Sequence, residues 1–303
     1  MYLPLHVAVI CFVLLSGYFH IKPSLRGIGK LLFPLLIFYL PLTIFEKAIY
    51  GVGGFGSFFF FSKSPYWFIR TYFYLFLVAP VLNSYLVSIK RRLFLLSVLG
   101  FIAIYMGCFM HDRSLFDGKN LTLFMFLYVI GDSLRSFKKL TDRIPTLSLV
   151  LIYITLNILL VITYIICHDT IIGKVLWRLS YPYCSPVLIF NAVLLFLVIG
   201  RLHFKSRVVN WLAGSVFSVY ILHHHHYVLY SFIRPCVMYI YNTFVSSFTL
   251  ILILGLMSIG IMMILILMDK LFAPVQNAFL KGISSCEARL REKLFLKDVQ
   301  VSK

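Results

Sequence analysis

The chain has 303 residues, of which 61% are hydrophobic and 13% are charged. Soluble domains are about 45–50% apolar and about 25% charged, so this composition excludes a soluble globular protein and a disordered one. The chain is therefore expected to be an integral membrane protein with the lipid bilayer as its main partner. The net charge of +18 would suggest a nucleic-acid partner in a soluble chain. In a membrane protein, Lys and Arg instead concentrate in cytoplasmic loops, and no nucleic acid is expected.

Nine apolar stretches predict transmembrane helices. They lie at 2–21, 31–45, 65–89, 93–110, 121–133, 145–167, 184–200, 210–232 and 244–268. Together they predict an all-α, polytopic helical bundle over residues 1–268, because only helices or closed barrels satisfy backbone polar groups within lipid. Residues 269–303 alternate apolar and basic residues. They predict a cytoplasmic amphipathic tail on the anionic inner leaflet.

The basic residues predict the orientation of the bundle. Of the 28 Lys and Arg residues, 20 fall on one side of the nine spans, seven fall on the other, and Arg70 lies inside a span. The richer side includes the tail, so the C-terminus is expected to be cytoplasmic and the N-terminus outside. The first span begins at residue 2 without a polar leader, so one upstream helix is expected to be missing. The alternative is that a short N-terminus simply crosses the membrane.

Three segments carry recognisable motifs. They are Ser16-Gly17-Tyr18 before a basic loop, Tyr66-Trp67-Phe68-Ile69-Arg70 at the start of a span, and Tyr220-Ile221-Leu222-His223 late in the bundle. In their order and topology these segments resemble the membrane-bound acyltransferase 3 family, which transfers acyl groups to sugars of cell-surface polysaccharides. The resemblance covers residues 1 to about 235.

The resemblance implies an enzyme of the bacterial inner membrane. It would transfer an acyl group, expected to be acetyl, from acyl-CoA to a hydroxyl of a surface glycan or its lipid-linked precursor. Acyl-CoA would be a co-substrate, and no bound cofactor is expected. The family's first helix carries an Arg and a His that are taken as catalytic, and this chain starts where the second helix would be. The missing helix therefore implies either a late start codon or a truncated product with impaired activity.

Arg70 and His223 are the candidate catalytic residues. A membrane-embedded Arg costs roughly 2.5–3.5 kcal/mol on insertion scales, so Arg70 is expected to face a cavity or a partner and to clamp a phosphate, a thioester oxygen or a sugar hydroxyl. Its alternative is to snorkel to the outer interface. His223 is a candidate acid or base because histidine titrates near neutral pH. It shares a helical face with His226 if the span is one helix.

Alternatives remain open for the run of four histidines that starts at His223. A metal site is not expected, because no acidic residue or thiol lies nearby in the sequence. Interfacial packing is the other alternative, and it is the expectation for His225. His6 and His20, which flank the first span, are expected to be ordinary interfacial polar residues.

The other candidate site residues are assigned to substrate binding. They are Ser16, Gly17, Tyr18, Glu46, Trp67, Tyr220 and His226. The resemblance places Ser16-Gly17-Tyr18 in the wall of the acyl-CoA access path, and small residues there permit close helix approach. Glu46, at the outer end of the second span, is the nearest acidic partner for a basic group.

Aromatic residues and cysteines are expected near the outer face. The phenylalanines at 55 and 58–61 predict an interfacial aromatic belt, with stacking on sugar rings as the alternative. Cys108, Cys167, Cys184 and Cys236 fall where oxidation is possible. A bridge between Cys167 and Cys184 would close one outer loop, whereas buried thiols are the alternative.

Two other functions compete with acyl transfer. A transporter or flippase for a lipid-linked sugar would need no acyl donor, but it would be expected to show internal repeats and broken helices at mid-membrane. No such repeat is apparent in the sequence. A gene fragment without activity is the third hypothesis.

Overall fold

The structure, a computed structural model, describes residues 3–51, 66–109, 118–167, 182–202, 205–244 and 247–301, with positions 170, 173, 175 and 180. Helix accounts for 87% of it, and these residues form no strand. The helices are α1 (Leu3–Phe19), α2 (Leu25–Pro34), α3 (Leu40–Tyr50), α4 (Trp67–Tyr85), α5 (Ile89–Gly100), α6 (Leu121–Ser136), α7 (Lys138–Thr141), α8 (Thr146–Cys167), α9 (Pro186–Gly200), α10 (Arg207–Ala213), α11 (Val216–His224), α12 (His226–Val228), α13 (Arg234–Thr243), α14 (Ser247–Leu271) and α15 (Ala273–Val301). Wider π-helical turns occupy Leu35–Tyr39, Phe101–Phe109 and Leu229–Ile233.

Four helical segments of the described chain are long and apolar enough to cross a membrane. They are Leu25–Tyr50, Ile89–Cys108, Thr146–Thr163 and Phe248–Leu271. Only 6% of the third and 11% of the fourth is buried inside the protein. Such exposed apolar surface is stable in lipid rather than in water. The prediction of an all-helical fold is therefore confirmed for the described residues. Four of the nine predicted spans correspond to helices with the length and composition of a membrane span, whereas others correspond to shorter helices such as Pro186–Gly200.

The chain forms two compact units. Unit 1 comprises Met1–Lys22 and Phe68–Phe204, and unit 2 comprises Pro23–Trp67 and Lys205–Lys303. Each unit is thus built from two separate stretches of sequence, and the amphipathic tail belongs to unit 2.

Glycine lets α1 and α6 cross closely in unit 1. A Cβ atom added to Gly17 would fall on the backbone carbonyl of Tyr128, and one added to Gly131 would fall on the backbone carbonyl of Leu14. Small residues allow this kind of helix contact within membranes because the two backbones can approach each other directly. The close approach predicted at Gly17 is confirmed. The crossing brings the C-terminal ends of both helices together.

The tail helix α15 contacts α2 in unit 2. Gly29 leaves room for Leu280 and Ile283, and the ring of Phe33 lies 5.5 Å from that of Phe279. Leu280 is 5% exposed. The apolar face of the tail was expected to meet lipid, but the structure places this part of it against α2.

Two thiols lie in contact in unit 1. The sulfur atoms of Cys108 and Cys184 are 3.3 Å apart, and both residues are buried. The partner suggested for Cys184 by the sequence, Cys167, has a side chain outside the described residues. The nearest described thiol to Cys184 comes instead from the π-helical turn that follows α5.

Mild oxidation of membranes with copper phenanthroline is expected to join Cys108 to Cys184. The two sulfur atoms need to approach by little more than an ångström to reach a disulfide length of about 2.05 Å. Non-reducing peptide mapping by mass spectrometry would detect the linked peptides. In a Cys108→Ser variant Cys184 should stay unlinked. Linkage of Cys184 to Cys236 instead would contradict the fold of unit 1.

Candidate functional site

The run of four histidines does not lie on one continuous helix. His225 has an extended backbone (φ −66°, ψ 131°), so α11 ends at His224 and α12 begins at His226. The prediction that His223 and His226 share one helical face is therefore wrong, because the helical period is interrupted between them.

His225 has a structural role. Its Nδ1 accepts a hydrogen bond from the backbone N–H of Tyr227 (3.3 Å), so in the neutral ring the proton lies on Nε2. Nε2 then donates to Thr43 Oγ1 (3.2 Å), which in turn donates to the carbonyl of Tyr39 (2.8 Å). His225 is 2% exposed. Because both ring nitrogens are used and the ring is buried, the packing role expected for His225 agrees with its contacts.

His226 and Glu46 form a histidine–carboxylate pair in unit 2. The Nδ1 of His226 donates to Glu46 Oε1 at 2.5 Å. The side chain of His226 is 58% exposed and that of Glu46 is 12% exposed. Since a carboxylate can only accept, the pair fixes the proton on Nδ1 and leaves Nε2 as the basic nitrogen. Two of the predicted substrate-binding residues are thus brought together.

His223 and Tyr220 also meet in unit 2. The Nδ1 of His223 donates to the carbonyl of Val219 (2.7 Å), which leaves Nε2 as its basic nitrogen. The rings of Tyr220 and His223 are 6.0 Å apart, and the His224 ring lies 4.7 Å from Tyr220. Trp67 is half-buried at the start of α4.

The remaining predicted site residues lie in unit 1. The hydroxyls of Ser16 and Tyr72 are 3.1 Å apart, and the ring of Tyr18 lies 5.6 Å from that of Phe196. Arg70 is half-buried in α4. The two predicted catalytic residues, Arg70 and His223, therefore belong to different units.

Sequence reasoning missed a buried ionic cluster in unit 1. Asp132 accepts from the Nε of Arg92 at 2.6 Å and from the Nε2 of His20 at 2.8 Å. The Asp132 side chain is 3% exposed and that of His20 is 29% exposed. Arg92 also donates to the carbonyl of Leu86 (2.9 Å). Among the described residues, no hydrogen bond reaches Nδ1 of His20, so this nitrogen is the available base.

The backbone at His20 is strained. Its φ is +58°, and no other described residue except glycine has a positive φ. The left-handed conformation costs a residue with a side chain about 1–2 kcal/mol, and such strain concentrates at functional sites. His20 was expected to be an ordinary interfacial residue. Instead, its ring contacts a buried carboxylate, and its backbone adopts a conformation that is uncommon for any residue with a side chain.

A closed ring of hydrogen bonds fixes the residue after His20. The N–H of Ile21 donates to the hydroxyl of Tyr128 (3.0 Å), which donates to Asn83 Oδ1 (2.6 Å). The amide of Asn83 returns to the carbonyl of Ile21 (3.0 Å). Since Tyr128 and Asn83 come from α6 and α4, two helices position the chain beside His20.

A cavity of about 600 Å³ lies between α1, α6, α7 and α9 in unit 1. Most of its lining is apolar and includes Phe12, Leu15, Phe196 and Leu197. Tyr18, predicted to line the path of the acyl donor, is part of this wall.

No model of a known protein family, no curated protein and no solved structure matches the chain. Within the described ranges, no group of three or more His, Cys, Asp and Glu residues is placed to hold a metal ion.

Proposed function

We propose that the protein is a membrane O-acyltransferase that transfers an acyl group from acyl-CoA to a hydroxyl of a surface glycan or its lipid-linked precursor. The observation that carries the proposal is the His20–Asp132–Arg92 cluster: an accessible imidazole is oriented by a buried carboxylate, and its second nitrogen is available. The three sequence motifs supply the reaction class, and the cavity beside Tyr18 offers apolar space for an acyl donor.

In the proposed reaction His20 is the general base. Its Nδ1 takes the proton of the acceptor hydroxyl as that oxygen attacks the thioester carbonyl. The carbon–sulfur bond then breaks, and the departing thiolate receives the proton from His20. Asp132 holds the ring in one tautomer and stabilises the imidazolium. Arg92 balances the charge of Asp132 between turnovers. Arg70 is given no role in this step, because it lies 13 residues before Asn83 on α4, about 20 Å along the helix, and Asn83 is the α4 residue that bonds Ile21 beside His20.

His223 and the His226–Glu46 pair are the alternative bases. His223 is oriented by a backbone carbonyl, which carries no full charge and stabilises an imidazolium less than a carboxylate does. His226 has a carboxylate partner in Glu46. It is therefore the stronger of the two alternatives, and the variants below separate all three.

We also propose that the chain crosses the bacterial plasma membrane nine times, with its N-terminus outside and its C-terminus in the cytoplasm. Two contacts in unit 1 support this topology. His20, Arg92 and Asp132 lie at three span ends assigned to the cytoplasm, and they contact one another. Cys108 and Cys184 lie at two span ends assigned to the outside, and they also meet.

Acyl transfer to membrane glycolipid from radiolabelled acetyl-CoA and palmitoyl-CoA is the direct assay. A His20→Asn variant keeps a residue that tolerates the left-handed backbone, so it should fold while losing about 10²–10⁴-fold in rate, the usual contribution of a general base. His223→Ala and Glu46→Gln should retain most activity. Loss of activity in either of those two variants but not in His20→Asn would move the base to unit 2. No transfer from either donor by the unaltered protein would refute the proposed function.

A further inference from the structure

We propose that the cavity between α1 and α9 binds the chain of a long-chain acyl-CoA, so that the preferred donor carries a fatty acyl group rather than acetyl. This inference rests on the proposed function and specifies its donor. The resemblance implies an acetyl donor, whereas the size of the cavity favours a long acyl chain.

The wall of the cavity suits a hydrocarbon chain. Its apolar lining comes from Phe12, Leu15 and Phe19 on α1 and from Phe196 and Leu197 on α9. Ligand pockets usually measure about 300–1,000 Å³, and the cavity measures about 600 Å³. An acetyl group would leave most of this volume empty, whereas each added methylene of a longer chain is removed from water.

The polar end of the cavity suits phosphate. A second cavity of about 440 Å³ shares Lys138, Asp142, Gly200 and Arg201 with the first. It adds Arg143. Three cations therefore surround one carboxylate where the apolar space ends. Long-chain acyl-CoA has the same division, with an apolar chain at one end and phosphates at the other.

Arg201 makes this polar end rigid. One of its terminal nitrogens donates to the carbonyl of Ile144 (2.7 Å) and to the hydroxyl of Thr146 (3.0 Å), and the other donates to the carbonyl of Thr141 (2.5 Å). These bonds hold the turn between α7 and α8, which carries Arg143. Because the donors of Arg201 are largely used within the protein, Lys138 and Arg143, both exposed, are left to meet the phosphates.

Chain-length preference tests the inference. Palmitoyl-CoA is expected to be the better donor for the unaltered protein. Leu197→Trp fills the cavity, and it should lower kcat/KM for palmitoyl-CoA by about tenfold or more, the scale of discrimination for an obstructed apolar pocket. The ratio of kcat/KM for palmitoyl-CoA to kcat/KM for acetyl-CoA should therefore fall. Phe190→Trp is the matched control, because Phe190 lies on the same helix, is half exposed and does not line the cavity.

The polar end is tested separately with exposed residues whose replacement leaves the core intact. Lys138→Ala combined with Arg143→Ala should raise the KM for palmitoyl-CoA and weaken its retention by the purified protein in native mass spectrometry. Lys139→Ala is the control, since Lys139 adjoins Lys138 in sequence but lines neither cavity. Retention is measured without an acceptor, so it reports on the cavity even if no transfer is detected.

The outcomes separate the two proposals. Transfer from acetyl-CoA and palmitoyl-CoA at equal rates, unchanged by Leu197→Trp, would overturn the inference and leave the proposed function standing. Retention of phosphatidylglycerol in place of palmitoyl-CoA, lost in the double variant, would assign the cavity to a membrane lipid and also overturn it. Retention of palmitoyl-CoA that is lost in Leu197→Trp, without transfer, would support the site and refute the enzyme.

Discussion

Replacing Asp132 by alanine is expected to lower the free energy of unfolding by about 3–5 kcal/mol, the usual cost of breaking a buried ion pair by removing one partner. The substitution would leave Arg92 and His20 without their shared partner. The side chain of Arg92 is 12% exposed, and its guanidinium would lose its only carboxylate partner among the described residues. The ring of His20 would lose the bond that compensates for its strained backbone. Thermal unfolding in detergent, followed by fluorescence-detected gel filtration, would measure the change.

Two comparisons isolate the ion pair. Asp142→Ala removes an exposed carboxylate from the same unit and should change stability by no more than about 0.5 kcal/mol. Arg92→Met combined with Asp132→Ala removes both charges, so it should recover part of the loss because no buried charge is left unpaired. Equal stability of Asp132→Ala and the unaltered protein would contradict the His20–Asp132–Arg92 cluster.

Gly131→Ala is expected to disrupt the crossing of α1 and α6. The added methyl group would occupy the position of the Leu14 carbonyl and lie 3.0 Å from the backbone N of Tyr18. Backbone atoms cannot move aside as a flexible side chain can, so the two helices must separate. Overpacking of this kind costs about 1–3 kcal/mol or more. Because the crossing also brings His20 to Asp132, acyl transfer should fall together with the melting temperature.

Gly260→Ala is the matched control for Gly131→Ala. Gly260 lies within α14, and an added Cβ atom there would meet nothing within 4 Å. In open space, alanine is favoured over glycine in a helix by about 1 kcal/mol. Gly260→Ala should therefore be neutral or stabilising. Replacing glycine by alanine is thus expected to lower stability at Gly131 and to leave it unchanged or raise it at Gly260. Loss of stability in both variants would contradict the close crossing of α1 and α6.

The helical membrane fold is the part that the sequence predicts best. Long uncharged stretches such as 244–268 are expected in lipid, and the close contact at Gly17 follows from the absence of a side chain there. Local sequence does not reveal how helices distant in the chain pair with one another. The sequence therefore suggested Cys167 as the partner of Cys184, whereas the structure places Cys108 beside it. The sequence also predicted that the tail helix lies on lipid, whereas part of it packs against α2.

The candidate site was predicted less well than the fold, for the same reason. His20 and Asp132 are 112 residues apart in the chain, and each is an unremarkable polar residue at the end of its span. The one local signal was a pair of glycines. Gly131 adjoins Asp132 and Gly17 lies three residues before His20, and small residues at both positions indicate that the two helices approach each other closely. The break at His225 was equally hidden, because no Gly or Pro lies between Ser215 and Arg234 to mark the end of a helix. The helix break separates the two residues, and the structure shows that His226 pairs with Glu46 while His223 bonds the carbonyl of Val219.

Chemical rescue of His20→Gly is the most direct test of the claim that His20 is the catalytic base. Glycine tolerates the left-handed backbone and leaves space for a free imidazole beside Asp132. Membranes carrying this variant should be inactive in acyl transfer and should regain activity as imidazole is added, whereas membranes carrying the unaltered protein should gain no activity from imidazole. An inactive variant that imidazole does not restore, or a variant as active as the unaltered protein, would contradict a base at His20.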